Sequence, residues 1–259
     1  MNIEFIGAPG AGKSTICTAV VERLRAIDDK KYFSASDAFR LVSMQKMDGL
    51  YRYPLRWLPK QMSAKLSRYL GNRSLMQYEA QNRYLASFGS SLQSYLSSPF
   101  YQKMSIDDRC SVIGHFMESA STRECISAFF PKHQTVIFDE SLLQKTFMFV
   151  DHGIDESDTS SLHRYLEGIP ESDLAIFVDA EVNTCQQRML ERPRGLPERL
   201  KRADSEAITQ FIGKSRQHVS AVKSWMQKNS RAQIIEIMSD QSVGSSADKI
   251  CTEILNIKG

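Results

Sequence analysis

The chain has 259 residues and carries 33 Lys and Arg against 30 Asp and Glu, a formal charge of +3 that gives no case from net charge alone for a nucleic-acid or membrane partner. Apolar and charged fractions of 42% and 24% are those of a folded globular protein, long enough for one large α/β domain with an inserted helical lobe, or for two domains. Five scattered cysteines with no C-x-x-C read as reduced thiols, mostly in the core, and the five histidines show no metal-ligand spacing, which excludes a structural zinc site.

Asn2 to Ile6 is a short apolar run bounded by glycine, a strand signal. Glu4 interrupts it, and Gly and Lys follow soon after. The start is therefore not read as a signal peptide, the N-terminus is expected to be intact, and a cytoplasmic location follows. No run reaches the roughly 18 apolar residues that span a bilayer.

Gly7-Ala-Pro-Gly-Ala-Gly-Lys-Ser14 then matches G-x-x-x-x-G-K-[ST] in full. Triphosphate oxygens need several backbone N–H groups at once. Glycines let the chain curl around them, and the next helix presents its N-terminus. The motif lies between a predicted strand and a helix with Ile16, Val20, Leu24 and Ile27 on one face, which is the context the chemistry requires. Gly7, Pro9, Gly10, Ala11, Gly12, Lys13, Ser14 and Thr15 are thus the candidate contacts to ATP or GTP, with Lys13 reaching the β- and γ-phosphates and Ser14 ligating Mg²⁺.

Tyr32 to Ser36 is a weaker strand, and helix resumes from Asp37 to Met47. Asp37 lies where it could accept a hydroxyl proton or cap that helix. Residues 48–132 are a long interruption with helical character at roughly 61–70, 74–97 and 107–130. From Gly49 to Tyr78 it has no acid but holds Arg52, Arg56, Lys60, Lys65, Arg68 and Arg73 among aromatics. That run reads as a solvated lobe, as a site for an anionic acceptor through Arg52 and Arg56, or as a face for RNA or an anionic membrane.

Thr135 to Asp139 is a buried strand ending in acids. Asp139 is a candidate Mg²⁺ ligand or the cap of a following helix, and the role of Glu140 is open. The stretch from Glu156 to Ser161 reads as a polar loop, and Asp173 to Asp179 as a further strand. A helix over about 181–191 carries Arg188 and Arg192 at i, i+4, before an Arg/Pro/Gly loop. The two arginines suit either a lid closing over phosphates or a solvated basic helix end. A helix over 204–228, a strand over 232–237, a polar loop from Ser242 to Ser246 and a helix over 245–257 complete the chain. Strands alternating with helices predict a parallel sheet with right-handed crossovers, the insertion overhanging the carboxyl ends of its strands.

Three further segments resemble the nucleoside-monophosphate-kinase-like group of P-loop kinases. Ser34-Ala-Ser-Asp-Ala-Phe-Arg40 is similar to S-T-G-D-x-x-R of adenylate kinases, with Ser36 in place of Gly; Leu174 to Glu181 followed by Arg188-Met-Leu-Glu-Arg192 resembles the fourth strand and the R-x-x-x-R of the lid; Arg199 to Asp204 is loosely similar to the lid-exit R-x-D-D. The resemblance implies a three-layer P-loop fold with a five-stranded parallel sheet in order 2-3-1-4-5 and a large helical insertion between strands 2 and 3. It implies a lid over about 192–203, catalytic roles for Lys13, Arg188, Arg192, Asp37 and Asp139, ATP contact by Arg188, and an acceptor phosphate on Arg40. The D-G-[FY]-P-R segment of adenylate kinases is replaced by Asp139-Glu-Ser-Leu-Leu-Gln-Lys145, so the acceptor is left open among nucleosides, sugars and other small metabolites. The expectation is an ATP·Mg²⁺-dependent phosphotransferase acting on a hydroxyl or phosphate. The alternatives are an NTP-binding regulatory or partner-binding module and a polynucleotide 5′-kinase. Neither the N-K-x-D of GTPase switches nor the L-S-G-G-Q of ABC ATPases occurs.

Overall fold

A computed structural model describes residues 1–46, 75–98, 101–102, 104–149, 159–192, 195–196, 200–201, 203–239 and 242–258. Five parallel strands, β1 (Asn2–Gly7), β2 (Tyr32–Ser34), β3 (Thr135–Phe138), β4 (Leu174–Asp179) and β5 (Gln233–Met238), form one sheet in the order β2-β3-β1-β4-β5. This is the expected topology. The central strands are buried on both faces, so β1 and β4 read as continuous apolar runs rather than alternating ones.

The alternation of side chains nevertheless sorts the core into faces. Ile3 and Phe5 of β1 join Ile137, Ile176 and Val178 in one cluster with Ile16, Val20 and Leu24 of α1 (Lys13–Ile27) and Ile250 and Ile254 of α9 (Val243–Lys258). Ile6, Ala175 and Phe177 face the other way. They pack with a lobe built by α3 (Leu75–Leu96), α4 (Ile106–Phe129), the short α5 (Leu142–Lys145), the 3-10 turn Thr146–Phe149, α6 (Thr159–Glu167) and the second half of α8 (Ser205–Asn229). A third cluster seats α2 (Ala35–Lys46) and α4 on Val136 and Phe138 of β3.

The lobe is an aromatic one. Tyr84, Tyr95, Phe116 and Tyr165 are fully buried, and Phe116 meets both Tyr84 and Tyr165 edge-on at centroid distances of 5.8 and 6.1 Å. Aromatic pairs of this geometry add stability beyond their burial. The buried hydroxyls are satisfied: Tyr165 donates to the Leu142 carbonyl at 2.9 Å, and the Tyr84 hydroxyl pairs with Ser91 Oγ at 2.6 Å.

Several expected boundaries move. The second strand ends at Ser34 and its helix starts at Ala35, because Ser34 Oγ takes the Asp37 N–H at 3.2 Å and so begins the helix early. The stretch read as a polar loop from Glu156 runs into α6 at Thr159, where Leu162, Tyr165 and Leu166 are buried against the lobe. Likewise α9 starts at Val243, inside the stretch read as a polar loop. Of the insertion, the helices expected over 74–97 and 107–130 appear as α3 and α4, while that over 61–70 lies outside the described residues. Four of the cysteines are buried as expected, but Cys110 is exposed. Among the described residues no helix is long and apolar enough to cross a membrane.

Candidate functional site

The turn from β1 into α1 is a tight curl closed by the Ala11 N–H on the Ala8 carbonyl at 3.1 Å. Gly10 and Gly12 both sit at a φ of 86°, the left-handed region open to glycine. Gly10 is doubly required, since a Cβ there would lie 2.2 Å from the Cys185 carbonyl oxygen of α7 (Val182–Leu190). Gly12 is the N-cap of α1 and has no side chain to cap it, and the first turn holds no acid. The orphan N–H groups of that turn are therefore left for an anion. Lys13 is 8% exposed, and its ammonium lies 3.5 Å from Asp139 Oδ1, just past β3. Ser14 and Thr15 are exposed on the same turn.

The loop forms one wall of a cavity of about 850 Å³. Met104, Val112 and His115, the last two on α4, line the same cavity with Phe147 and Met148. Glu140, Gln144 and Lys145 also line it, and Arg188, Glu191, Arg192, Ser239 and Val243 complete it. Arg188 is braced against the loop: Nη1 donates to Ser239 Oγ at 2.7 Å and to the Ala11 carbonyl at 3.4 Å, and Nη2 donates to the Ser239 carbonyl at 3.0 Å. Arg188 and Arg192 thus line the same cavity as Lys13, and Arg188 is bonded to the loop itself.

Asp37 is placed elsewhere. Its Oδ2 accepts from Arg25 at 2.6 Å and from Ser34 Oγ at 2.8 Å. Burial alone would raise its carboxyl, but these hydrogen bonds and the guanidinium charge outweigh it and hold the group below the usual carboxylate range. Arg25 is in the last turn of α1, about 18 Å along the helix axis from Lys13. The structure therefore does not bring the expected proton acceptor to the loop, and neither Asp37 nor Arg40 lines the cavity. Arg52 and Arg56 lie outside the described residues, as do Arg194, Arg199 and Arg202 of the expected lid.

Among the described residues no three His, Cys, Asp or Glu side chains converge on a metal position. A Mg²⁺ ion at the loop would take few protein ligands and complete its shell from phosphates and water, the ordinary arrangement for this ion. The exposed Ser14 hydroxyl and the Asp139 carboxylate, 41% exposed, fit that requirement. Cys17, one turn along α1, is not a competing nucleophile. Burial first and the Asp139 carboxylate second push its thiol far above the usual range, against the opposing pull of Lys13.

No protein-family model and no curated protein sequence matches the chain. Among solved structures it is similar to a deoxyadenosine kinase from M. mycoides with the products dCMP and a flexible dCDP bound, at 14% identity and a TM-score of 0.52, over 99% of this chain and 100% of that one. The same M. mycoides enzyme with dCTP bound aligns at 14% identity and a TM-score of 0.49 over 99% of this chain and 100% of that one, too low a score to add to the argument. The chain shares the fold of these P-loop kinases. At 14% identity the likeness speaks for the fold alone.

The cavity residues that sequence reasoning missed include Ser239, Phe147, Met148, His115, Met104 and Val112. Gln144 and Lys145 stood in the quoted segment after β3 but carried no assignment. Ser239 alone has a local signal, its position directly after the carboxyl end of β5, where ligands gather in open α/β sheets.

Proposed function

We propose that the protein is an ATP·Mg²⁺-dependent phosphotransferase that moves the γ-phosphoryl group to a small-molecule acceptor. One observation carries the reading: the loop, Lys13 and Arg188 share a single cavity with Met104, Val112, His115, Phe147 and Met148, mostly apolar side chains that phosphates would not engage. Transfer of a phosphoryl group needs a donor cradle, cations at the γ-oxygens and a second pocket within reach. In this reading Lys13 and the α1 N–H groups hold the β- and γ-phosphates, Arg188 and Arg192 take up charge developing on the γ-oxygens, and α3 and α4 form the acceptor-side lobe. Ser14 and Asp139 would hold Mg²⁺, which would supply positive charge to offset that of the phosphates.

The apolar, aromatic character of the acceptor wall suits a flat ring system, and the shared fold with a nucleoside kinase puts nucleosides first among acceptors to try. The test is acceptor-dependent ADP formation across nucleosides, nucleoside monophosphates, sugars and oligonucleotides. ADP formed with one of these and absent in Lys13→Ala supports the reading. Slow ADP formation that no acceptor accelerates would return the protein to the class of NTP-hydrolysing modules.

A further inference from the structure

In a parallel sheet both backbone groups of a residue point to the same neighbouring strand, and the sides alternate along the chain. In β1 the Met1 carbonyl takes Val136 N–H of β3, and the Asn2 carbonyl takes Asp173 N–H beside β4. Odd positions therefore face β3. But β3 stays in register with β1 only from Asn2 to Glu4. Gly7, where β1 becomes the phosphate loop, faces a place in the ladder that no strand fills. The Gln144 side chain fills it: Oε1 accepts the Gly7 N–H and Nε2 donates to the Gly7 carbonyl, each at 3.3 Å. A primary amide has one acceptor end and one donor end, so it can replace the missing peptide unit where a carboxylate or an apolar chain cannot.

We infer that Gln144 is a positioning residue for the phosphate loop, held in place from behind by a buried carboxylate. Gln144 sits on α5, a helix of four residues whose N-cap Ser141 makes no side-chain cap. So short a helix does not hold its own position. Glu4 supplies what Ser141 does not, accepting the Leu143 N–H on Oε2 at 3.2 Å, and the Tyr165 hydroxyl bonds the Leu142 carbonyl. Glu4 is 1% exposed in the middle of β1, and its charge is met by Arg123 of α4 at 2.9 Å and by Ser172 Oγ at 2.6 Å. Breaking one side of such a pair leaves an uncompensated buried charge, which keeps the arrangement intact. The carboxylate that interrupts the first apolar strand thus anchors the helix that places Gln144 on Gly7.

The kinetic half of this inference rests on the ATP reading above; the backbone half does not. The test is Gln144→Met, similar in length and lacking both hydrogen-bonding ends, with amide hydrogen exchange followed in the protein without nucleotide. The Gly7 amide should exchange about tenfold faster, as expected for the loss of its acceptor. The amides of α9 should be unchanged, and the melting temperature should stay within about 3 °C. Gln144→Glu, which would set a second acceptor oxygen against the Gly7 carbonyl, should lose protection as Gln144→Met does, and Gln144→Ala should repeat the loss without added bulk. In turnover, kcat should fall about tenfold in Gln144→Met with acceptor KM unchanged, the mark of a misplaced donor. Wild-type exchange at Gly7 in both Gln144→Met and Gln144→Ala would overturn the inference. Faster exchange in a protein whose wild type binds no ATP would sustain it and defeat the proposed function instead.

Discussion

Helix α1 carries an ion pair at each end, and the two are built differently. At its C-terminal end Arg25 meets Asp37 at 2.6 Å, and the same carboxylate accepts from Ser34 Oγ while Arg25 Nε donates to the Tyr32 carbonyl. Each partner thus holds a second contact besides the ion pair. At its N-terminal end Lys13 and Asp139 stand 3.5 Å apart, with the lysine almost buried and the carboxylate open to the cavity. A satisfied pair has little left for a ligand, whereas a long, one-contact pair at a phosphate loop keeps donors and acceptors in reserve. The acid that matched a family motif by its position after a strand, Asp37, has the structural contacts, and the acid at Asp139 has the open ones.

Replacing the ammonium tests this contrast most severely. Lys13→Ala should cost roughly a hundredfold or more in kcat, because it removes the ammonium that the loop brings to the phosphates. Acceptor-dependent ADP formation measures it, and unchanged turnover in a folded protein would remove the loop from the chemistry. Asp139→Asn should lower kcat more than about tenfold and raise the Mg²⁺ concentration needed for half-maximal rate, read from a Mg²⁺ titration at fixed ATP.

The arginines come next. Arg188→Ala and Arg192→Ala should each reduce kcat by more than about tenfold. Arg188→Ala should also weaken ATP binding, since the same guanidinium braces Ala11 and Ser239. An effect of Arg192→Ala confined to the melting temperature would reduce it to a helix-end cation.

The smallest effect falls at the far end of α1. Asp37→Asn should leave turnover near wild type and lower stability by about 1 kcal/mol at pH 7, a modest figure because the pair is partly exposed. The Asp37 carboxyl is held below its ordinary value, so its contribution is full above about pH 4 and fades as pH falls through the lower folded value. Melting curves of the two proteins should differ at neutral pH and converge once the folded carboxyl is protonated at acid pH. A large loss of kcat with unchanged stability would restore Asp37 as the proton acceptor.

What was legible in the sequence follows the range of the interactions. The phosphate loop depends on residues within one turn of each other, and its strand, glycines and helix could be read directly. The sheet order came with the family likeness, and the alternation of strands and helices supported it. Gln144 and Ser239 act on the loop from 137 and 51 residues away from their partners Gly7 and Arg188, and no local pattern announces such contacts. Glu4 could be read as a charge in an apolar strand, but its partner Arg123 lies on another element. Helix α6 was the avoidable loss. Leu162, Tyr165 and Leu166 have helical spacing, and the serines and threonines at its start drew the reading toward a loop.

Cys110 has a practical consequence of its own. It is the single surface thiol of five, and burial pushes Cys125 up to about 12 and Cys251 up to about 11, so that neither competes for a reagent near neutral pH. A maleimide dye would therefore mark the wild-type chain at one point. That point is on α4, two residues before Val112 and about one turn and a half from His115, both of which line the cavity. The protein comes with its own reporter: emission followed during addition of ATP, and then of each trial acceptor, would reveal which small molecules the wall feels before any turnover is measured.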